Sequence, residues 1–299
     1  MWQLLFLFLF LVAGLLLQKI LSKELQVKLA YYLNRFVIYI SLPAMVLVYL
    51  KSIKFDSTFF IPVTTAWGVF FISLILIYLL SKIFNFSKEM LIALIMLVSF
   101  TNSSFLGIPF TKAFFGESAI KYAIIYDQLG SFLILSIFGV LIISIYRAKS
   151  VNFILILIKI VSFPSFIALI VVILVDDIIY PNYIELILKV LTNLLAPFSL
   201  ISIGLNIVLK MPKNEIFPII LALILKLVLI PLFLILLFKI VNINTLAVKI
   251  SIFEASMAPM VTSSMLAIMA NIKPRFVATT LGYGIAFSFI TLPIIYLII

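Results

Sequence analysis

The sequence predicts an all-α polytopic membrane protein. Its 299 residues are 66% hydrophobic, with a mean hydropathy of +1.40, and only 10% of them are charged. Soluble domains carry roughly 25% charged residues, and a soluble chain of this length has no interior large enough to bury so much apolar surface. The apolar runs are continuous and do not alternate, which argues against a β-barrel. We therefore expect helices that cross a bilayer.

Composition also disfavours several functional classes. The chain contains neither Cys nor His, which removes disulfides, thiol chemistry, zinc sites and imidazole catalysis. The net charge of +11 comes from Lys and Arg spread through short connections, which is typical of topology signals and not of a nucleic-acid-binding tail. Because no paired-carboxylate motif is evident either, we expect no enzyme, no cofactor, no metal and no nucleic-acid partner.

Ten apolar spans follow one another along the chain, each near the ~20 residues that a bilayer crossing needs. They cover residues 2–20, 34–50, 61–83, 90–115, 120–146, 153–175, 184–209, 216–241, 246–270 and 276–299. The first span lacks the basic region and cleavage site of a signal peptide, so we expect it to be a membrane helix. A polar link is predicted at residues 21–28, and an acidic turn with Asp176 and Asp177 follows span six.

Span four carries the strongest functional signal. In its segment SFTNSSFLGIPFTKAFFG, residues 99–116, Asn102 and Ser103 fall where a membrane helix should be driest, and Gly107 and Pro109 follow. Proline lacks an N–H and clashes with the carbonyl four residues earlier, so we expect the helix to break near Pro109. A broken helix with polar residues at this depth is typical of transporter substrate sites. The alternative is a proline kink with Ser and Thr bonded to their own backbone.

The two halves of the chain resemble each other in the placement of proline. Pro43 in span two and Pro197 in span seven are 154 positions apart. Pro109 in span four and Pro259 in span nine are 150 positions apart. We therefore predict two repeats of five spans, with broken crossover helices in spans four and nine. The alternative is chance placement in a chain with twelve prolines.

The repeat and the loop charges together predict a topology. Five is odd, so the second repeat, residues 153–299, would cross the membrane in the opposite sense to the first, residues 1–146. Residues 147–152 would form a short cytoplasmic linker. Odd-numbered connections hold twelve Lys and Arg, and even-numbered connections hold seven. The side with more Lys and Arg, that of the odd-numbered connections, should be cytoplasmic. We therefore expect both termini on the extracytoplasmic side of the cell membrane.

Ionisable residues inside the spans are functional candidates, because charge within a bilayer is costly. Lys159 lies near a span end, and we expect it to snorkel to the interface. Lys226 lies near the centre of span eight, and we expect it to pair with Glu254. That pair would be either structural or part of ion coupling. Asp127 and Glu254 are alternatively candidates for proton coupling.

Two broken helices of an antiparallel repeat would cross at mid-membrane, with their ends facing one cavity. Helix N-termini carry partial positive charge and free N–H groups, so this cavity should favour an anion, especially a carboxylate. Asn102 and Ser103 would contribute side-chain donors. Glycine or alanine near each break would let the backbone approach a ligand. The full set of predicted substrate contacts is Pro43, Asn102, Ser103, Gly107, Pro109, Gln128, Asn206, Met257, Ala258 and Pro259.

These motifs together resemble one family. FTNSSFLGIPFTKAFFGESAIKYAIIYDQ is similar to the fourth and fifth spans of the auxin efflux carriers, EASMAPMVTSSMLA to their ninth span and LNRFVIYISLPAMVL to their second. The resemblance covers nearly the whole chain. It implies a fold like that of bile-acid sodium symporters, with a scaffold domain and a crossover domain that moves as an elevator, often in a homodimer. It places the crossover prolines at Pro109 and Pro259 and polar site residues at Asn102 and Gln128.

The resemblance also implies a substrate class. Members of the family move auxin or small carboxylates such as malate and malonate. Plant auxin carriers have a long cytoplasmic loop where this chain has only residues 147–152, which indicates the short prokaryotic type. We therefore expect a permease for a small organic anion that works by alternating access in the lipid bilayer. The alternatives are a sodium-coupled symporter of the bile-acid type, a membrane sensor without transport, and a membrane enzyme.

Overall fold

The computed structural model describes residues 2–51, 56–147, 152–175, 178–210 and 212–299, apart from the side chains of residues 2–4 and 213. Asp176 and Asp177 of the predicted acidic turn, and the loop residues Lys54 and Lys149, lie outside this part. Within it the chain is helical, and no strand forms. Its helices are α1 Trp2–Ile20, α2 Lys23–Tyr49, α3 Ser57–Ile83, α4 Lys88–Val98, α5 Ile108–Phe115, α6 Glu117–Tyr146, α7 Phe153–Val161, α8 Pro164–Leu174, α9 Asn182–Asn206, α10 Ile216–Ile240, α11 Leu246–Ala255, α12 Val261–Met269 and α13 Pro274–Ile298.

Six described helices are long and apolar enough to cross a membrane, namely α2, α3, α6, α9, α10 and α13. The pair α7 and α8 has the composition of a seventh crossing, bent by 64° between the two helices. The bend falls at Pro164, which opens α8 and has no N–H with which to continue α7. The predicted class, an all-α protein with several membrane-spanning helices, is thus confirmed, and the ten-span inverted repeat stays a prediction.

The predicted polar link at residues 21–28 is wrong, because α2 already begins at Lys23. Ser22 Oγ accepts a hydrogen bond from Leu25 N–H at 3.4 Å, and Glu24 lies in the first turn of the helix. A hydroxyl cap followed by an acidic residue is the arrangement that stabilises a helix start. A polar segment of the chain is therefore helical despite its low hydropathy.

Three prolines inside helices share one local pattern. In each case a π-helical turn of five residues ends two positions before the proline. The pairs are Val37–Ser41 with Pro43, Ser103–Gly107 with Pro109, and Leu225–Leu229 with Pro231. A widened turn accommodates both the missing N–H and the crowding by the proline ring. The chain therefore stays helical through Pro109, and the predicted break at this residue is wrong.

The helix break in span four lies upstream of Pro109. α4 ends at Val98, and the chain becomes helical again only at Ser103. Residues 99–102 include Ser99, Thr101 and Asn102, whose side chains compete for backbone hydrogen bonds and favour the end of a helix. Span nine is interrupted in the same way between α11 and α12, at residues 256–260.

The helices pack in two groups. The first, which we name the α9 group, contains α1, α2, α7, α8 and α9, and the second, the crossover group, contains α3 to α6 and α10 to α13. Gly14 of α1 and Gly204 of α9 hold the first group together, since a Cβ on Gly14 would lie 2.8 Å from Gly204 Cα. The groups meet largely where α1 and α9 pack on α5 and on the π turn before it. The interrupted helix therefore lies at the boundary between them.

Candidate functional site

The two interrupted helices are in direct contact at their breaks. Asn102 N–H donates to Ala258 O at 3.1 Å, and Met260 N–H donates to Phe100 O at 3.2 Å. Thr101 and Pro259 consequently oppose each other in a single antiparallel bridge. These bonds give partners to backbone groups that the breaks leave without helical ones. We refer to residues 99–102 and 256–260 together as the crossover.

Asp127 of α6 is the centre of a buried hydrogen-bond cluster beside the crossover. Ser103 Oγ donates to its Oδ1 at 2.5 Å, and Ser104 Oγ donates to the same oxygen. Gln128 Nε2 donates to Oδ2 at 2.7 Å. The cluster attaches the π turn before α5 to α6. Ser103, Asp127 and Gln128 of the predicted set thus lie together, but the Ser103 hydroxyl is bonded to Asp127.

Glu254, near the end of α11, reaches across to the other interrupted helix. Thr111 Oγ1 donates to its Oε1 at 2.8 Å. The carboxyl group also lies against Gly107, where a Cβ would collide with it. Gly107 therefore leaves room for the Glu254 side chain, and its contact with a ligand stays a prediction. Among the described residues, Glu254 Oε2 has no hydrogen-bond partner.

The predicted ion pair between Lys226 and Glu254 is wrong. Lys226 Nζ donates to Thr101 Oγ1 at 2.7 Å, at the crossover, and within the described chain it forms no ion pair. The side chain is fully buried and belongs to the π turn of α10. A widened turn changes the helix face on which a residue lies, so proximity in sequence did not predict the partner.

Two side-chain amides, one in the crossover and one beside it in α6, each have one atom without a partner. Asn102 Nδ2 and Gln128 Oε1 are buried, and neither is hydrogen-bonded within the part of the chain that the structure describes. A buried polar group left unpaired costs about 1–3 kcal/mol, so such groups require a ligand, a water molecule or a functional role. The Asn102 amide offers a hydrogen-bond donor, and Gln128 offers an acceptor.

The other predicted residues divide between the crossover and the helices beside it. Met257, Ala258 and Pro259 are buried in the break between α11 and α12. Asn206 ends α9, where its Nδ2 donates to Ser202 O at 2.8 Å. Pro43 is half-buried in α2, after the π turn.

Two cavities lie at the boundary between the helix groups, at different levels along α9. The larger, about 470 Å³, is lined by α1, α2, α5 and residues 192–197, and we name it the α5 cavity. The smaller, about 40 Å³, is lined by α2, α12, α13 and residues 202–207, and we name it the α12 cavity. At 1.5 Å per helical residue the two are roughly 15 Å apart. Of the predicted contacts, Pro109 lines the α5 cavity and Asn206 lines the α12 cavity.

The polar residues of the α5 cavity were not among the predicted site residues. Lys112 lies in α5, one turn after Pro109. Its Nζ donates to Asn193 Oδ1 at 3.0 Å and to the Tyr49 hydroxyl at 3.2 Å. Its position inside the predicted span at residues 90–115 was the available signal. No comparable signal marked Asn193, because its partner is distant in sequence.

Comparison with known proteins gives the family. No curated protein matches the chain. A family model described as membrane transport protein matches residues 1–296, which include both interrupted helices and both helix groups. The match agrees with the resemblance to the auxin efflux carriers in the broken spans. This chain therefore belongs to the membrane transport protein family of auxin efflux carrier-like permeases.

Proposed function

We propose that this protein moves a small carboxylate across the cell membrane by alternating access, and that the carboxylate binds at the crossover. One observation carries the proposal: two interrupted helices pair through their breaks, at the boundary between two groups of helices. Discontinuous helices of this kind hold ions and charged substrates in many transporters, because their ends carry partial charge at membrane depth. Membership of a transport family supports the same reading.

The proposed site uses donors that have no other partner. Asn102 Nδ2 is buried and unpaired among the described residues, so a bound carboxylate would satisfy it. The helix starts at Ser103 and Val261 add partial positive charge. Gln128 Oε1 would accept a hydrogen bond from a substrate hydroxyl or from water.

The proposed motion displaces the crossover group against the α9 group, as in an elevator. The unequal cavities support this reading, because alternating access requires one path to be open while the other is closed. In this state the α5 cavity would be the open path toward the crossover, and the α12 cavity is nearly closed. Movement of the crossover group along α9 would close the α5 cavity and open the α12 cavity. The positive-inside rule assigns the α5 cavity to the extracytoplasmic side.

The proposal includes the predicted topology. Ten spans would form two inverted repeats, residues 1–146 and 153–299, joined at residues 147–152. Both termini would then lie outside the cell. The α9 group would be the scaffold and would supply the contact surface of a homodimer. A dimer is expected from the family resemblance only.

Substitution of Asn102 tests the site. Asn102→Ala should reduce uptake of labelled malate or phenylacetate into proteoliposomes by about tenfold, since a hydrogen bond to a charged group contributes about 1.5–3 kcal/mol. Asn244→Ala, at an exposed asparagine in the connection before α11, is the matched control and should leave uptake unchanged.

The same assay separates the alternatives. Full uptake by Asn102→Ala would contradict the crossover site. Ligand binding without flux in the wild-type protein would favour a sensor. Flux that is unaffected by a sodium gradient would exclude the sodium-coupled symporter.

A further inference from the structure

The α5 cavity has the size and walls of a small-molecule site. Its volume of about 470 Å³ lies within the range of ligand pockets, roughly 300–1,000 Å³. Nine of the twelve described residues that line it are apolar, among them Phe6, Met45, Pro109 and Pro197. Three different stretches of the α9 group and the first turns of α5 contribute to these walls. The cavity therefore suits a ligand whose body is mainly apolar.

Three of the lining residues are polar, namely Lys112 of α5 and Thr192 and Asn193 of α9. Lys112 is the one charged residue among the described residues that line the cavity. Its Nζ donates to Asn193 Oδ1 at 3.0 Å and to the Tyr49 hydroxyl at 3.2 Å. Thr192 is 3% exposed, and its Oγ1 has no hydrogen-bond partner within the described chain. The lining of the cavity thus includes a cation and an unpaired hydroxyl.

We propose that Lys112 determines specificity: in this state, before the substrate moves on to the crossover, its ammonium group binds the carboxylate of an acid that carries one negative group on an apolar body. This inference rests on the proposed function and narrows its substrate class. The carboxylate would contact Lys112 Nζ, with Thr192 Oγ1 as a second donor. The apolar body would extend toward Pro109 and Pro197, the side of the cavity nearer the crossover.

The single positive charge among the described lining residues explains why the cavity would select a monocarboxylate. A monocarboxylate brings one charge to one ammonium group. A dicarboxylate such as malate would place its second carboxylate against apolar walls, where an unpaired charge is strongly disfavoured. A neutral amide of the same shape would lose the charge-assisted hydrogen bond to Lys112. The comparison with the amide depends on charge and leaves the fit to the walls nearly unchanged.

Glu117 opposes binding in the unliganded state. Its Oε1 lies 3.5 Å from Lys112 Nζ, and its side chain is 70% exposed. The Tyr49 hydroxyl also donates to Glu117 Oε1 at 3.2 Å. A carboxylate ligand must therefore compete with an exposed carboxylate of the protein for the same ammonium group. Removing the charge of Glu117 should strengthen ligand binding.

The experiment measures binding to the purified full-length protein, together with flux in proteoliposomes. The probes are phenylacetate, malate and phenylacetamide. We expect a dissociation constant for phenylacetate at least tenfold lower than for malate or phenylacetamide. Lys112→Met should weaken phenylacetate binding at least tenfold, Lys112→Arg should retain most of it, and Glu117→Gln should strengthen it two- to fivefold.

Lys51→Met is the matched control. Lys51 pairs with Glu185 at 2.8 Å and does not line the α5 cavity, so this variant should bind phenylacetate as the wild type does. Size-exclusion elution and thermal stability establish that Lys112→Met is folded. Phenylacetate binding by folded Lys112→Met equal to that of the wild type would overturn the inference, as would tighter binding of malate than of phenylacetate.

The two proposals fail in different ways. Malate flux that depends on Asn102 but not on Lys112 would retain the proposed function and overturn the specificity inference. Absence of flux and of binding for both phenylacetate and malate would overturn both. Phenylacetate flux that is lost in Lys112→Met and retained in Lys51→Met would support both.

Discussion

The Glu254 carboxyl group lies directly against Gly107, where the two interrupted helices pack. Glu254 belongs to α11, and Gly107 belongs to the π turn before α5. The glycine is needed here for space and not for backbone freedom, since its φ is −59°. A side chain at this position would displace the Glu254 carboxyl group from the place where Thr111 Oγ1 donates to it.

Gly107→Ala should therefore destabilise the protein. Overpacking of a buried site costs about 1–3 kcal/mol, and we expect a lower melting temperature in detergent. Gly68→Ala in α3 is the control, because a Cβ there meets nothing within 4 Å and alanine favours helix by about 1 kcal/mol. Adding Glu254→Ala to Gly107→Ala should restore part of the loss. Equal melting temperatures for Gly107→Ala and the wild type would contradict the contact.

At the scale of single elements, the sequence predicted the existence of helices better than their interruptions. Hydropathy predicted a helix in every span, because burial in lipid forces backbone groups to pair within the segment. Proline was a misleading signal for the break in span four. The π turn at Ser103–Gly107 absorbs Pro109, and the polar residues 99–102 end α4. Widened turns depend on tertiary packing, which single-sequence patterns do not report.

Contacts between elements were the part that the sequence did not predict. The cluster of Asp127 with Ser103 and Gln128 joins residues that had each been identified, but their mutual hydrogen bonds were not expected. Lys226 was assigned the wrong partner, because its true partner Thr101 lies 125 positions away. Residue type and depth identify candidate polar groups, and only the fold determines which of them meet.

At the scale of the whole molecule, the two boundary cavities differ more than tenfold in volume. Their walls come from the α9 group on one side and the crossover group on the other. The proposed alternating access would leave one cavity open and the other nearly closed in each state. The α5 cavity holds Lys112, and the α12 cavity holds Asn206.

Thiol labelling tests the sidedness of this state. The chain has no Cys, so introduced cysteines are the only targets. In right-side-out vesicles a membrane-impermeant maleimide should label Lys112→Cys rapidly and Asn206→Cys at most slowly. Asn85→Cys, in the connection from α3 to α4, should react only after the vesicles are made permeable. Rapid labelling of Asn206→Cys from the outside would contradict the assignment of the closed cavity.

The contact between the two breaks brings the interrupted helices together at the proposed site. Thr101 and Pro259 form a non-hydrogen-bonded antiparallel pair, because the backbone bonds connect their neighbours. Such pairs have Cα atoms about 4.5 Å apart, which lies within the range that a disulfide spans. Asn244 is separated from the second break by the whole of α11, which is roughly 15 Å long.

The most direct measurement is therefore oxidative cross-linking of the double variant Thr101→Cys with Pro259→Cys. After mild oxidation in membranes and denaturation, we expect this protein to retain almost no free thiol. The control Thr101→Cys with Asn244→Cys should retain two. Two free thiols in the first variant, under conditions in which the protein is folded, would contradict the claim that the interrupted helices meet.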